Sequence, residues 1–357
     1  MNRIQRIMSS SSLALDEALV IFSEVNVTYL SGFTGHAATL LITHEKTVLI
    51  TDYRYVEQAE SEVEGIEVIC RNRQINTLGE LIESLLREFN ISTLLFEADH
   101  LSVHQWEEMR AELSIPMVKP TFRLTEELRY IKSNDEINNI RQAANIADNA
   151  LAETLNLVKE GVTERELTTE LEYQMARRGS KEIAFQTILL FAERAALPHG
   201  VPGDNKLKHG DFILIDFGAT VNGYRSDMTR TYVYGKADAK QRDVYNTVLS
   251  AQLAAIDAIE VGVTGEYVHQ QSDAILKASP YAEYKPNGLG HGVGLDVHEY
   301  PFMANGCYQT LENGCVITVE PGIYIPGWGG VRIEDDVALV DNRLQILNKT
   351  PKDQFEL

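Results

Sequence analysis

Four carboxylates and one imidazole in the C-terminal part of this chain have the types and spacing to hold metal ions: Asp216, Asp227, His291, Glu320 and Glu334. The stretch "FILIDFGATVNGYRSDMTRTYVYG", residues 212 to 235, reads as two strands around an Asn-Gly turn. A type I′ turn at Asn222-Gly223 pairs Val221 with Tyr224 and sets Asp216 opposite Thr229. Asp227 then shares a face with Asp216, roughly 7 to 8 Å away at Cα. Glu320 follows the apolar run "CVITV" and is stopped by Pro321-Gly322, while Glu334 alternates with Val331, Ile333 and Val337, so both glutamates are expected to look inward. His291 sits among glycines in "GLGHGVGLDVHE", with His298 seven residues on.

Each residue alone has a bland reading: a turn aspartate is solvated, a strand-end glutamate faces water, a histidine packs. Their convergence changes the physics, because unneutralised carboxylates repel by roughly 4 kcal/mol per close pair at an effective dielectric near 20. Two divalent cations offset that charge, and carboxylates shared between them hold the ions about 3.5 to 4 Å apart with a water readied as nucleophile near neutral pH. Oxygen-rich ligation with one imidazole favours Mn²⁺, with Co²⁺, Fe²⁺ and Zn²⁺ as alternatives. Asp335 and Asp336, beside Glu334, read as partly structural. The glycine string at 288 to 294 is not G-x-G-x-x-G and lacks the context of a nucleotide site.

The elements that must position these groups follow from periodicity. From about Ala18 to Lys119, "ALVIF", "ATLLIT", "KTVLIT", "GIEVIC" and "STLLFE" read as strands, whereas Asn76 to Phe89 and Ser102 to Leu113 have helical spacing. This predicts an N-terminal α/β domain with a mixed sheet over residues 1–120, with no evident catalytic cluster, then a linker over 121–132. Ser133-Asn134-Asp135-Glu136 supplies a capping box, and Ile137, Ile140, Ala144, Ala147, Leu151 and Leu155 mark the buried face of the helix it starts. Within the second domain, 133–357, "LVKEGVTEREL" from 157 resembles "AIEVGVTGEYV" from 258. Each copy then reaches a strand pair bearing two acids, so the domain reads as a duplication. The fold class is α/β, or α+β by segregation of its elements.

With 357 residues the chain has room for two domains with cores of their own. Its 32 Lys+Arg against 52 Asp+Glu give a formal charge of -20, which repels nucleic acid and anionic lipid. Cys70, Cys307 and Cys315 are too few and scattered for a disulfide framework or a cysteine-rich zinc site. No apolar stretch approaches the ~20 residues of a membrane span, and Ser9 to Ser12 with Asp16 interrupt any signal-peptide core. A cytoplasmic protein is expected.

The motifs "LIDFG", "YRSDMTRT", "GHGVGLDVHE", "VEPGIYIPG" and "GGVRIEDD", with "NVTYLSGFTG" and "LITDYRYVEQA" nearer the N-terminus, resemble the Xaa-Pro peptidases, the prolidases and aminopeptidases P of the pita-bread fold, over nearly the whole chain. That resemblance implies a creatinase-like N-terminal domain and a pseudo-two-fold catalytic domain. It implies a dinuclear exopeptidase cutting the bond before proline in dipeptides. Aminopeptidase P action on longer peptides, broader specificity, and a non-catalytic peptide-binding descendant are the alternatives.

By the same resemblance Asp216, Asp227, His291, Glu320 and Glu334 are metal ligands, with Asp227 and Glu334 shared by both ions. His199 lies near the substrate amino end, His298 stabilises the tetrahedral intermediate, Arg332 stands beside the last ligand, and Glu320 accepts a proton. The resemblance also implies a homodimer, with the N-terminal domain serving dimerisation and cleft closure. Two departures bear on the substrate pocket. Asn287 stands where relatives often have a histidine, able to bond substrate without carrying charge. Phe191-Ala192-Glu193-Arg194 stands where they often have a Ser-Gly pair.

Overall fold

The computed structural model describes residues 2–357, which divide into two units, one ending at Arg129 and one running from Tyr130 to Leu357. In the first, six strands, β1 (Glu17–Ile21), β2 (Thr39–Thr43), β3 (Thr47–Thr51), β4 (Glu67–Cys70), β5 (Thr93–Glu97) and β6 (Met117–Thr121), form one sheet ordered β4-β3-β2-β1-β5-β6. β1 and β2, and β2 and β3, pair antiparallel; the remaining neighbours are parallel, as a mixed sheet requires. Its helices are α1 (Arg3–Ser11), α2 (Glu24–Ser31), α3 (Val56–Glu62), α4 (Leu78–Glu88), α5 (Val103–Glu112) and α6 (Leu124–Arg129). Thr77 and Ser102 cap α4 and α5 with capping boxes, and Leu41, Val48, Ile82, Leu86 and Leu94 are fully buried between helices and sheet.

The stretch expected to be a linker, 121–132, carries α6. Leu128 and Arg129 are buried there, and Arg129 Nη1 donates to Asn26 Oδ1 at 2.9 Å, so α6 belongs to the first unit, which ends at Arg129. A charged, proline-led stretch hides this because its partner Asn26 lies about a hundred residues away.

In the second unit α7 (Asn134–Leu155) starts at the Ser133 capping box, and α8 (Glu164–Arg177) packs beside it. β7 (Ile188–Phe191), β8 (Phe212–Phe217), β9 (Thr220–Val221), β10 (Tyr224–Arg225) and β11 (Met228–Val233) follow, then α9 (Ala239–Asp257) and α10 (Gly265–Ala278). The last strands are β12 (Gly288–Gly292), β13 (Glu299–Ala304), β14 (Val316–Val319), β15 (Gly322–Ile325), β16 (Gly329–Arg332), β17 (Asp335–Val340) and β18 (Arg343–Ile346). They make a three-stranded sheet, β11-β8-β7, a five-stranded sheet, β13-β12-β14-β17-β18, and two ribbons, β9 with β10 and β15 with β16.

The repeat has a structural counterpart. Thr163 and Thr264, the threonines of the two "GVT" copies, cap α8 and α10. Each forms an isolated antiparallel bridge, with Lys206 and with Thr310, and the glycines two residues before them, Gly161 and Gly262, donate to Leu207 O and Leu311 O at 2.8 Å.

Candidate metal centre and substrate cleft

Asn222 and Gly223 both have positive φ, 51° and 82°, as a type I′ turn demands. Val221 pairs with Tyr224, and Thr229 pairs with Asp216 across β8 and β11, in the expected register. Asp227 lies just before β11, Glu320 between β14 and β15, and Glu334 in the break between β16 and β17. The histidine comes from β12, whose flanking glycines are steric necessities. A Cβ at Gly290 would stand 2.1 Å from Thr318 O, and one at Gly292 2.2 Å from Tyr300 O. Only a bare backbone lets β12 lie close enough to its neighbours to present His291.

All five expected ligands line one cleft of about 600 Å³, together with His199, His298 and Arg332. His291 Nε2 lies 3.3 Å from Glu320 Oε1 and 3.8 Å from Asp227 Oδ2. Asp227, His291 and Glu334 each bring a donor atom within 4.8 Å of the others'. Asp216 Oδ2 accepts from Arg332 Nη2, while its Oδ1 is buried without a hydrogen-bond partner. Arg332 is committed to holding the site: Nε donates to Thr229 Oγ1 at 2.9 Å and Nη1 to the Tyr324 hydroxyl at 2.7 Å. The rings of His291 and His298 meet edge to face with centroids 4.3 Å apart.

Asn287 does not join them. The chain bends there, Pro286 and Gly288 line the cleft, and the Asn287 side chain is exposed.

Reasoning from sequence missed the depth of acid in this site. Asp336 is fully buried; its Oδ2 accepts the Asp227 N–H at 2.9 Å and its Oδ1 has no partner. Asp335, by contrast, is paired with Arg230 and Lys352. Burial, then the neighbouring carboxylates, pushes Asp227 and Glu334 well above the usual carboxylate range, and burial does the same to Asp336. Asp216 is also raised, by burial, against the pull of Arg332. Glu320 runs the other way: burial raises it, but the bond from His291 and the charges of His291 and Arg332 outweigh that. Burial and the charge of His291 lower His298. Carboxylates short of positive charge, an orphaned Asp216 oxygen and one imidazole make a donor set that fits hard or borderline divalent cations.

A second cluster in the first unit, Glu97, His100 and Glu126, differs in kind. Glu97 accepts from the N–H groups of Phe22 and Ser23 and from Asn26 Nδ2, and Glu126 accepts from Asn26 Nδ2 and meets His100 Nε2 at 2.8 Å. Its lone pairs already serve a hydrogen-bond network.

Residues 138–341 match the model of metallopeptidase family M24, and residues 1–131 match the creatinase/prolidase N-terminal domain. The chain belongs to family M24. This M24 peptidase is 37% identical over 338 residues to the uncharacterized peptidase YqhT of Bacillus subtilis, covering 94% of this chain and 95% of that protein. Among solved structures, an Xaa-Pro dipeptidase from Bacillus anthracis superposes with a TM-score of 0.94 at 36% identity, covering 99% of each chain. The prolidase from Pyrococcus horikoshii superposes with a TM-score of 0.90 at 35% identity over 98% of each. The M24 peptidase thus has the pita-bread catalytic domain behind a creatinase-type N-terminal domain, and it is a metallo-exopeptidase dependent on divalent ions.

Proposed function

We propose that this enzyme is an Xaa-Pro dipeptidase that hydrolyses the bond before proline, with aminopeptidase P action on longer peptides as the second reading. The observation that supports it is the gathering of four carboxylates, His291, His199 and His298 around one cleft. Asp216, Asp227, His291, Glu320 and Glu334 would hold two divalent ions, Mn²⁺ by preference. When bound, the ions supply Lewis acidity and a water acidified to near neutrality.

The chain's own groups do the rest. Glu320 has a side chain 27% exposed, against 11% for Asp216 and 7% for Asp227, so it is open to the cleft and would take the proton of the attacking water. His298 would donate an N–H to the oxygen on which charge develops, and His199 would orient the substrate beside its amino end. Arg332, by fixing Asp216, keeps a ligand oxygen turned inward. An Xaa-Pro bond has no N–H at proline, so a peptidase that grips that hydrogen loses a contact and a dedicated pocket replaces it.

The reading includes a homodimer in the cytoplasm. Three free cysteines accord with a reducing compartment, and among the described residues no helix is long and apolar enough to cross a membrane. Turnover of Ala-Pro, Ala-Pro-Pro and Met-Ala-Ser after loading with Mn²⁺, Co²⁺ or Zn²⁺ tests the activity. A folded, metal-loaded enzyme that leaves every Xaa-Pro peptide intact rejects it.

A further inference from the structure

Two cationic side chains line the cleft, Arg332 and Lys285, and they are held differently. All three nitrogens of the Arg332 guanidinium are engaged, by Thr229, Tyr324 and Asp216. Lys285 Nζ lies 2.6 Å from Asp273 Oδ1 and donates to Pro286 O at 3.2 Å, the carbonyl of another residue of the cleft wall. An ammonium has three N–H groups. The third has no protein acceptor among the described residues.

The local charge does not balance. Asp273, on α10 and with a side chain only 6% exposed, is shared: Oδ1 meets Lys285 and Oδ2 meets Lys277 Nζ, also at 2.6 Å. Two ammoniums on one carboxylate leave a surplus of one positive charge. Lys277 is 62% exposed, outside the cleft lining, and solvated, whereas Lys285 is 12% exposed and belongs to the wall. The surplus that a bound ligand would feel is therefore that of Lys285, in surroundings that screen it weakly.

We propose that Lys285 determines specificity by taking the terminal carboxylate of a dipeptide substrate. The inference rests on the Xaa-Pro reading and names which peptides that site prefers. A dipeptide places a carboxylate one residue beyond the scissile bond; a longer peptide or a dipeptide amide places a neutral amide there. The carboxylate completes the charge of the Asp273, Lys277 and Lys285 group, and the amide does not. Asp273 holds the ammonium in place, so the pair is preformed and little side-chain freedom is lost on binding. The length of the substrate is then read by a residue that belongs neither to the metal set nor to the two histidines of the cleft.

The test compares Ala-Pro with Ala-Pro-amide and Ala-Pro-Ala on the Mn²⁺-loaded enzyme and on Lys285→Met and Lys285→Arg. A charge-assisted hydrogen bond is worth about 10- to 100-fold, so the wild type should favour the free acid over the amide by that factor in kcat/KM, expressed chiefly in KM. Lys285→Met should bring the acid-to-amide ratio to near one, and Lys285→Arg should keep most of it. As a measurement that needs no variant, the free acid of a non-hydrolysable dipeptide analogue should inhibit the wild type at least tenfold more tightly than its amide. Equal inhibition by the two, or a Lys285→Met enzyme with the wild-type ratio, overturns the assignment. A wild type that cleaves none of the three peptides overturns the Xaa-Pro reading instead.

Discussion

Arg194 Nε lies 3.0 Å from the Glu164 carboxylate, at the first residue of α8, and the same carboxylate accepts the N–H of Phe191 at 2.9 Å and of Gly203 at 2.7 Å. Arg194 also donates to Val201 O at 2.6 Å. One fully buried acid thus pins both ends of the loop that carries His199.

Removing that acid takes the acceptor from the buried Phe191 N–H, the part-buried Gly203 N–H and Arg194 Nε. Glu164→Ala is expected to cost about 2 to 4 kcal/mol of stability and to lower kcat, because His199 loses its fixed approach to the cleft. Urea unfolding and steady-state kinetics measure both. Unchanged values would show that the loop holds itself.

Ala192 opens the short helical turn Ala192–Ala196 after β7, and its φ is +49°, a region costly for a residue with a Cβ. Ala192→Gly should stabilise the folded protein by about 0.5 to 1 kcal/mol once the greater freedom of glycine in the unfolded chain is subtracted. Chemical denaturation decides it, and a loss of stability would mean that the methyl packs better than the strain costs.

Metal removal should abolish turnover and lower the melting temperature together, since unshielded carboxylates are left facing one another. Ligand bound at a thousand times its dissociation constant stabilises by about 4 kcal/mol, a shift that calorimetry resolves. Asp227→Asn should bind less Mn²⁺ by elemental analysis while keeping its far-UV circular dichroism. Full metal content in that variant would count against Asp227 as a ligand.

Asp52, at the end of β3, is bonded by Arg54 at 2.9 and 2.7 Å and by Arg73 at 3.0 Å, and the Arg54 bonds hold its carboxyl down at about 2. A carboxylate depressed by folding adds stability above its unfolded pKa and loses it as pH falls through the folded one. The acid limb between about pH 4 and 2 should therefore be shallower in Asp52→Asn than in the wild type. Both arginines are at least half exposed, so the difference should be about 1 kcal/mol or less and should shrink in high salt. Parallel pH profiles for the two proteins would assign the acid limb to other groups.

What was legible in the sequence was local. The turn at Asn222-Gly223 fixed the register of its strands, the capping box placed the start of α7, and two "GVT" copies exposed a duplication whose bridges recur in space. What escaped depends on partners far along the chain. Glu164 looks like any first-turn helix acid; only the folded loop makes it a clamp. Asp336 reads as the second of two strand aspartates, and its acceptance of the Asp227 N–H joins residues 109 apart. Asn287 was expected in the cleft from its place in a motif, yet a bend turns it to solvent and leaves Lys285 in the wall.

The duplicated plan also has a consequence for the order in which the proposed donors are made. On the proposed ligand set, Glu320 and Glu334 leave the ribosome about a hundred residues after Asp216 and Asp227, with His291 between them, so a nascent chain offers only part of the donor set. Metal capture by the full set would then wait for a finished domain, in which the donors stand together.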